Sequence, residues 1–322
     1  GDAQEISFVA VNKVATKVPV DGTAFLSDDN MAVAAYIVEG TTPNDFFGYT
    51  LFKKKADLIW SGSPARYWPL TTSKINFLAV TEKGGNVDNT SVKFADSNYA
   101  SAATVTLSNN AVWSQNDLMF AAGQGTHTQG GAYNAVPMVF KHALSWINFE
   151  VKTGNGLTDA DPKIAINSIT LNEVPVNGTL TVTNGNYATT GAECVTANLG
   201  ATWSYTNRVN MKLIESGIVT DTYADDLLLT NAPEEFGGNG VLVIPSDQTS
   251  FTINYTITQP DGTPNTFNYT YNLNDDWLMA KKYVYHITMT LTEILIEPSV
   301  ASWGEAIETF PSLDGQGDDE KK

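Results

Sequence analysis

The clearest alternation of apolar and polar positions lies in two neighbouring runs. Over residues 251–258, Phe251, Ile253, Tyr255 and Ile257 alternate with Thr252, Asn254, Thr256 and Thr258. Over residues 266–273, Phe267, Tyr269, Tyr271 and Leu273 alternate with Asn268, Thr270 and Asn272. Successive strand side chains point to opposite faces, so each run is a strand with one apolar and one wet face. The joining QPDGTPN contains proline and Asp-Gly, which makes the pair an antiparallel hairpin. The same period recurs at residues 5–11, with Ile6, Phe8 and Ala10 on one face, and at 283–291, with Tyr283, Tyr285, Ile287, Met289 and Leu291 inward. Residues 31–38 are almost continuously apolar and predict a central strand buried on both faces. Shorter strands are expected at 46–51, 53–60, 74–80, 104–107, 116–122, 164–171, 179–183, 241–244 and 294–296, with Asn177-Gly178 as a turn. No stretch of about 12 residues holds a helical period, and only short helical turns are expected, near Leu227 and Trp277. The predicted class is all-β with little helix.

Residues 136–152, VPMVFKHALSWINFEVK, break the alternation. Apolar side chains fall first on even positions, Met138, Phe140, Leu144 and Trp146, then on odd ones, Ile147, Phe149 and Val151. A strand that keeps one buried face cannot change parity without a bulge or a change of sheet. The stretch therefore marks the entry to a second domain, and the Gly-rich GQGTHTQGGAYN before it suits a boundary. The expected domains are residues 1–132 and 133–310, followed by an acidic tail, 311–322, disordered by composition.

A chain of 322 residues is long for one sandwich and comfortable for two domains. Only 16% of it is charged, and Thr, Asn, Ser and Gly fill the gap, as on the exposed strand faces of all-β extracellular proteins. The net charge of −17 repels nucleic acid and anionic membrane, which excludes both as partners. It reads as solubility, with cation binding as the alternative. The one cysteine, Cys194, cannot form an intrachain disulfide and is expected to be a small buried hydrophobe. No run approaches the roughly 18 apolar residues of a membrane span, and no signal peptide is visible. The start at Gly1-Asp2, without methionine, is expected if an upstream targeting segment has been removed.

Candidate chemistry is sparse. His127, His142 and His286 have no second ligand at metal spacing, and His142 shares the parity of Phe140 and Leu144, so it reads as a scaffold histidine before a base. No nucleophile elbow, phosphate loop or zinc-protease helix occurs. Acidic pairs stand at Asp28-Asp29, Asp225-Asp226 and Asp275-Asp276, with Asp159 near Asp161. They read as solvated turns; glycoside hydrolysis or calcium binding would need them gathered at one site. No catalytic residue, metal or cofactor is therefore assigned. Seven tryptophans admit a sugar-stacking platform, for which Tyr67 and Trp68, ahead of Pro69, are the candidates.

The order of segments EISFVAV, MAVAAYIV, ARYWPL, INFLAV, NDLMFAA, VPMVFKHALSWINFEV and KKYVYHITMTL ahead of Trp303 resembles the fimbrillin-like family, subunits of type V pili of Gram-negative anaerobes. The resemblance implies two β-sandwich domains of transthyretin-like topology and a non-enzymatic fimbrial subunit that supports adhesion. It implies location at the cell surface and outer membrane, with a lipid anchor on a removed N-terminal segment as the only membrane contact. Other pilin subunits are then the partners, along with an unidentified surface receptor. In the family, a protease removes an N-terminal strand and a strand of another subunit fills the groove, which repairs unpaired backbone. Carried onto this chain, Ile6, Phe8 and Ala10 lie on the removable strand, and cleavage falls at Lys13 or Lys17. The family's processing site is an arginine, whereas the two arginines here, Arg66 and Arg208, lie far from the start. The candidate donor is ILIEPSVASW, with Ile294, Ile296, Val300 and Trp303; the alternative is an ordinary closing strand of the second domain. A glycan-binding surface lipoprotein and a glycoside hydrolase remain the other readings.

Overall fold

A computed structural model describes residues 3–11, 25, 29–38, 44–55, 58–70, 73–83, 87–108, 115–127, 135–219, 225–248 and 250–303. The strands, in chain order, are β1 (Ser7–Ala10), β2 (Asn30–Ile37), β3 (Asp45–Lys54), β4 (Ile59–Ser63), β5 (Lys74–Lys83), β6 (Val92–Phe94), β7 (Ala102–Leu107), β8 (Asp117–Thr126), β9 (Val136–Met138) and β10 (Lys141–His142). They continue as β11 (Ser145–Thr153), β12 (Lys163–Thr183), β13 (Gly200–Ile214), β14 (Gly217–Val219), β15 (Leu227–Leu228), β16 (Glu234–Val243), β17 (Ser250–Thr258), β18 (Pro264–Asn272), β19 (Lys281–Met289) and β20 (Ile294–Ser302). Two single 3₁₀ turns are the helical content among the described residues. The regions of Leu227 and Trp277, expected as helical turns, are a strand and an isolated bridge to Ser246.

The chain forms two compact units: Gly1–Ser108, Asn116–Ala143 and Gly178–Ser204 in the first, and Asn109–Gln115, Leu144–Asn177 and Tyr205–Lys322 in the second. A single cut at residue 132 does not describe this grouping. The reason lies in hydrogen bonding: β9 pairs with β1 and β10 with β8, so residues 136–142 stay in the first unit. The turn at 186–189 belongs there too, because Asn76 of β5 donates its amide to the Tyr187 carbonyl at 2.9 Å and the Thr189 carbonyl at 2.7 Å.

In the first unit the strand order is β10-β8-β5-β2-β3-β4-β1-β9. One core contains side chains from both ends of that order, including Phe8, Phe52, Phe77, Met119 and Met138, so the sheet curls until its ends face each other. The second unit packs the sheet β16-β11-β19-β20 against β14-β13-β12-β17-β18 over a core with Phe149, Ile169, Phe251 and Tyr285. The parity change is resolved as a change of sheet: Met138 and Phe140 face the first core, and Ile147, Phe149 and Val151 face the second.

Asn177-Gly178 makes no turn. β12 runs through it, pairing with β17 up to Asn172 and with β7 from Gly178 onward. An Asn-Gly turn forms where the flanking strands pair with each other; here each flank has a different partner.

His286 on β19 is completely buried, with Nδ1 at 3.2 Å from Glu150 Oε2 and Nε2 at 3.1 Å from Ser299 Oγ. Burial pushes its pKa below the ordinary histidine value. The unfolded chain then binds a proton, near pH ~6.5, before the folded one does. Stability from this residue is therefore full above that pH and declines as pH falls from the unfolded value through the folded one. Melting temperatures followed from pH ~7.5 down to ~5 should fall more steeply for the wild type than for His286→Asn; parallel curves would show that another group governs the acid limb.

Candidate functional site

β1 is a four-residue strand, yet it lies inside a sheet. It pairs antiparallel with β4, Ser7 opposite Ser61, Phe8 opposite Trp60 and Val9 opposite Ile59. It pairs parallel with β9, Phe8 opposite Val136, Val9 opposite Pro137 and Ala10 opposite Met138. The flanking backbone continues the ladder: the Trp68 amide donates to the Gln4 carbonyl at 2.9 Å, the Ile6 amide to Arg66 at 2.7 Å, and the Val11 amide to Met138 at 2.9 Å.

The alternation in EISFVAV has its expected consequence. Ile6 and Phe8 are fully buried and Ala10 nearly so, all in the first core. The Phe8 ring meets Phe52 and Phe77 edge-on, with centroids 4.8 and 4.9 Å away. Small residues make the slot wide enough. A Cβ on Gly62 would stand 2.9 Å from the Pro64 carbonyl oxygen and 3.2 Å from the Phe52 ring; one on Gly125 would stand 2.8 Å from Trp68.

Taking β1 away would leave facing rows of unpaired amides and carbonyls on β4 and β9, over a channel floored by Phe52, Trp60, Trp68 and Phe77. Such a channel accepts an extended strand with alternate apolar side chains.

The remaining candidates are dispersed. Lys13 and Lys17 lie outside the described residues. Trp68 is a correction: it is 5% exposed, under the β1 slot, and cannot stack on a sugar; Tyr67 alone is exposed, at 49%. Trp beside proline resembles a loop residue, but Gly125 leaves the room that draws its ring inward. The donor candidate is β20, the edge of its sheet among the described residues, paired residue for residue with β19 from Lys281 opposite Ser302 to Met289 opposite Ile294. Ile294 and Ile296 pack on the second core, Val300 is exposed, and Trp303 meets Trp146 with centroids 5.2 Å apart. Both arginines are engaged: Arg66 donates to Thr50 Oγ1 and lies over Phe47, and Arg208 pairs with Asp247 at 2.6 Å.

Among the acidic pairs, Asp226, Asp275, Asp276 and Asp159 are exposed, Asp29 is buried, and Asp28 lies outside the described residues. A cleft of about 300 Å³ in the second unit is lined by Leu157, Asp159, Pro162 and Leu229, with one carboxylate where a glycosidase needs two. Among the described residues no His, Cys, Asp or Glu cluster could hold a metal. His142 stands opposite Met119 of β8, and its Nδ1 lies 2.8 Å from Asp117 Oδ1. Cys194 is buried, and desolvation raises its thiol pKa, which makes it unreactive. No helix among the described residues is long and apolar enough to cross a membrane.

Two features of the slot escape sequence reasoning: residues 136–138 read as strand, but nothing in them names β1 as their partner, and the carbonyl of Arg66 that holds Ile6 carries no sequence signal.

The family model for fimbrillin-like proteins matches residues 16–303. The chain belongs to the fimbrillin-like family. A fimbrial protein of Bacteroides vulgatus ATCC 8482 has a similar structure, with a TM-score of 0.60 and 16% identity over 94% of this chain and 100% of that one. A provisionally assigned cell adhesion protein of Bacteroides ovatus ATCC 8483 is similar with a TM-score of 0.51 and 14% identity, over 96% and 99% of the two chains. At such identities the likeness speaks for the fold, while the family match speaks for membership. No curated protein matches. The protein is thus a nearly all-β member of the fimbrillin-like family.

Proposed function

We propose that this protein is a non-enzymatic subunit of a cell-surface fimbria, joined to its neighbours by strand exchange and anchored to the outer membrane through lipid on a segment upstream. The observation that carries this reading is the burial of Ile6, Phe8 and Ala10 in a slot whose walls, residues 59–63 and 136–138, come from elsewhere in the chain. Because both walls come from later in the chain, a single cut after β1 separates the strand from them. The cut falls after Lys13 or Lys17, since Arg66 and Arg208 are both built into the fold.

The donor is the segment of β20. Ile294 and Ile296 repeat the two-residue spacing of Ile6, Phe8 and Ala10, Val300 shares their parity four residues on, and Pro298 between them forfeits one ladder amide. In the subunit this strand serves as the edge of its own sheet, so exchange requires it to leave β19.

Limited trypsin digestion tests the reading. Cleavage after Lys13 or Lys17 should leave the remainder folded and drive it into polymers on size-exclusion chromatography. A synthetic peptide of residues 294–303, added during cleavage, should cap the slot and hold the protein monomeric. Resistance at both lysines, or persistent monomers after β1 is lost, would count against a processed subunit.

A further inference from the structure

Among the described residues, the outer edge of β18 carries an unspent interaction. β18 ends the order β14-β13-β12-β17-β18, and eight of its nine residues are exposed, with only Tyr271 half-buried. Natural edge strands are usually blunted by lysine, proline, bulges or covering loops. β18, PNTFNYTYN, has no charge, its one proline is the first residue, and its register with β17 is unbroken from Ser250 opposite Asn272 to Thr258 opposite Pro264.

What this edge would accept is written in how β17 already meets β18. Thr252 stands opposite Thr270, Asn254 opposite Asn268 and Thr256 opposite Thr266, joined by side-chain hydrogen bonds of 3.0, 2.9 and 3.0 Å. On the other face Ile253 opposes Tyr269 and Tyr255 stacks on Phe267 with centroids 5.4 Å apart. The pentad that β17 offers is Thr-Ile-Asn-Tyr-Thr; β18 itself reads Thr266-Phe267-Asn268-Tyr269-Thr270, the same pattern with one apolar exchange.

We infer that β18 binds β18 of a second copy of this chain, antiparallel and centred on Asn268. In that register the second copy presents Thr, Tyr, Asn, Phe and Thr to an edge that already receives Thr, Tyr, Asn, Ile and Thr from β17. Asn268 then meets its own equivalent on the two-fold axis, Thr266 meets Thr270, and Phe267 meets Tyr269. The Thr/Asn ladder and the aromatic face both continue across the junction, and the contact is isologous, so it closes as a dimer. It leaves β1 and its slot untouched, so it is independent of strand exchange.

Charge sets the conditions. Antiparallel pairing brings the hairpin turn of one copy, which carries Asp261, to the end of the second copy's β18 that leads to Asp275, both exposed, on chains of net charge −17. Salt should therefore strengthen the dimer, because screening removes this repulsion.

Sedimentation of the intact, uncleaved chain from ~10 µM to ~1 mM at ~0.05 and ~0.5 M salt is the test, with a dimer constant on the order of 100 µM expected at the higher salt. Asn268→Lys, which sets two ammonium groups on the axis, and Thr270→Lys should each weaken it at least ~10-fold, while the melting temperature falls only by the little that one exposed cross-strand hydrogen bond to β17 contributes. Oxidation should join Asn268→Cys to itself, and Thr266→Cys to Thr270→Cys only when the two are mixed, since directly opposed Cβ atoms lie about 4.5–5.5 Å apart. Monomers throughout, a dimer indifferent to both lysines, or cross-linking that ignores position would each overturn the inference.

Discussion

Phe8→Ala is expected to destabilise the first unit by about 3–5 kcal/mol, the cost of truncating a fully buried phenylalanine. The ring sits edge-on between Phe52 and Phe77 inside a curled sheet, where backbone pairing on both sides of β1 prevents collapse into the vacated space. Removing it discards the buried area and leaves a cavity, and both terms destabilise. Urea unfolding measures the total, and hydrogen exchange locates it: β4 and β9 amides should lose protection first, because they are the ones β1 covers. The outcome bears on function as well, since a weakened β1 should make trypsin cleavage faster and polymer formation earlier. A loss below about 1 kcal/mol would mean that β1 contributes little to the core, contrary to its burial.

Gly240→Ala is expected to cost the second unit about 3 kcal/mol or more, at the upper end for single substitutions. On β16, Phe236 stands opposite Phe149 and Val241 opposite Ile147, so residues 237–240 stand opposite Asn148 alone. This excursion is held by the Glu215 carbonyl, which accepts from the amides of Gly237 at 3.0 Å and Gly238 at 2.7 Å. Gly240 has φ +85°, left-handed backbone that costs alanine about 1–2 kcal/mol. A Cβ there would also stand 2.5 Å from the Ile147 carbonyl oxygen and 2.6 Å from the Asn148 side-chain amide, closer than any Cβ can approach. The excursion must therefore move, and with it the carbonyl of Asn239 that accepts from Trp146 Nε1 at 2.8 Å. Thermal unfolding and indole fluorescence of Trp146 report both effects. An unchanged melting temperature would show that the backbone can relocate without loss.

How much of this was legible before the fold was known can be judged from particular strands. The inward faces of β1, β11, β17 and β19 follow from alternation, because a period of two commits every second side chain to one face. β13 was legible but unread: in Gly200–Ile214, Trp203, Tyr205, Val209, Met211 and Leu213 share the odd positions, interrupted at Asn207, and the pairing with β12 shows the strand they announce. β18 was legible as a strand and as one half of a hairpin. Its position at the edge of a sheet, which makes it a docking surface, was not. The slot was half legible: Ile6, Phe8 and Ala10 announced a buried face, while the inward turn of Trp68 depends on Gly125 and is a fact of packing.

The sequence by itself determined an all-β chain, the faces its strands bury, the change of sheet between Phe140 and Ile147, and, through its ordered short segments, membership of the fimbrillin-like family. Only the tertiary structure decided that β1 lies between β4 and β9, that residues 178–204 belong with the first unit, and that β12 runs straight through Asn177-Gly178. The physical reason is that side-chain periodicity is local, whereas strand partners are chosen by backbone amides and carbonyls that are alike in every residue and leave no mark in the sequence.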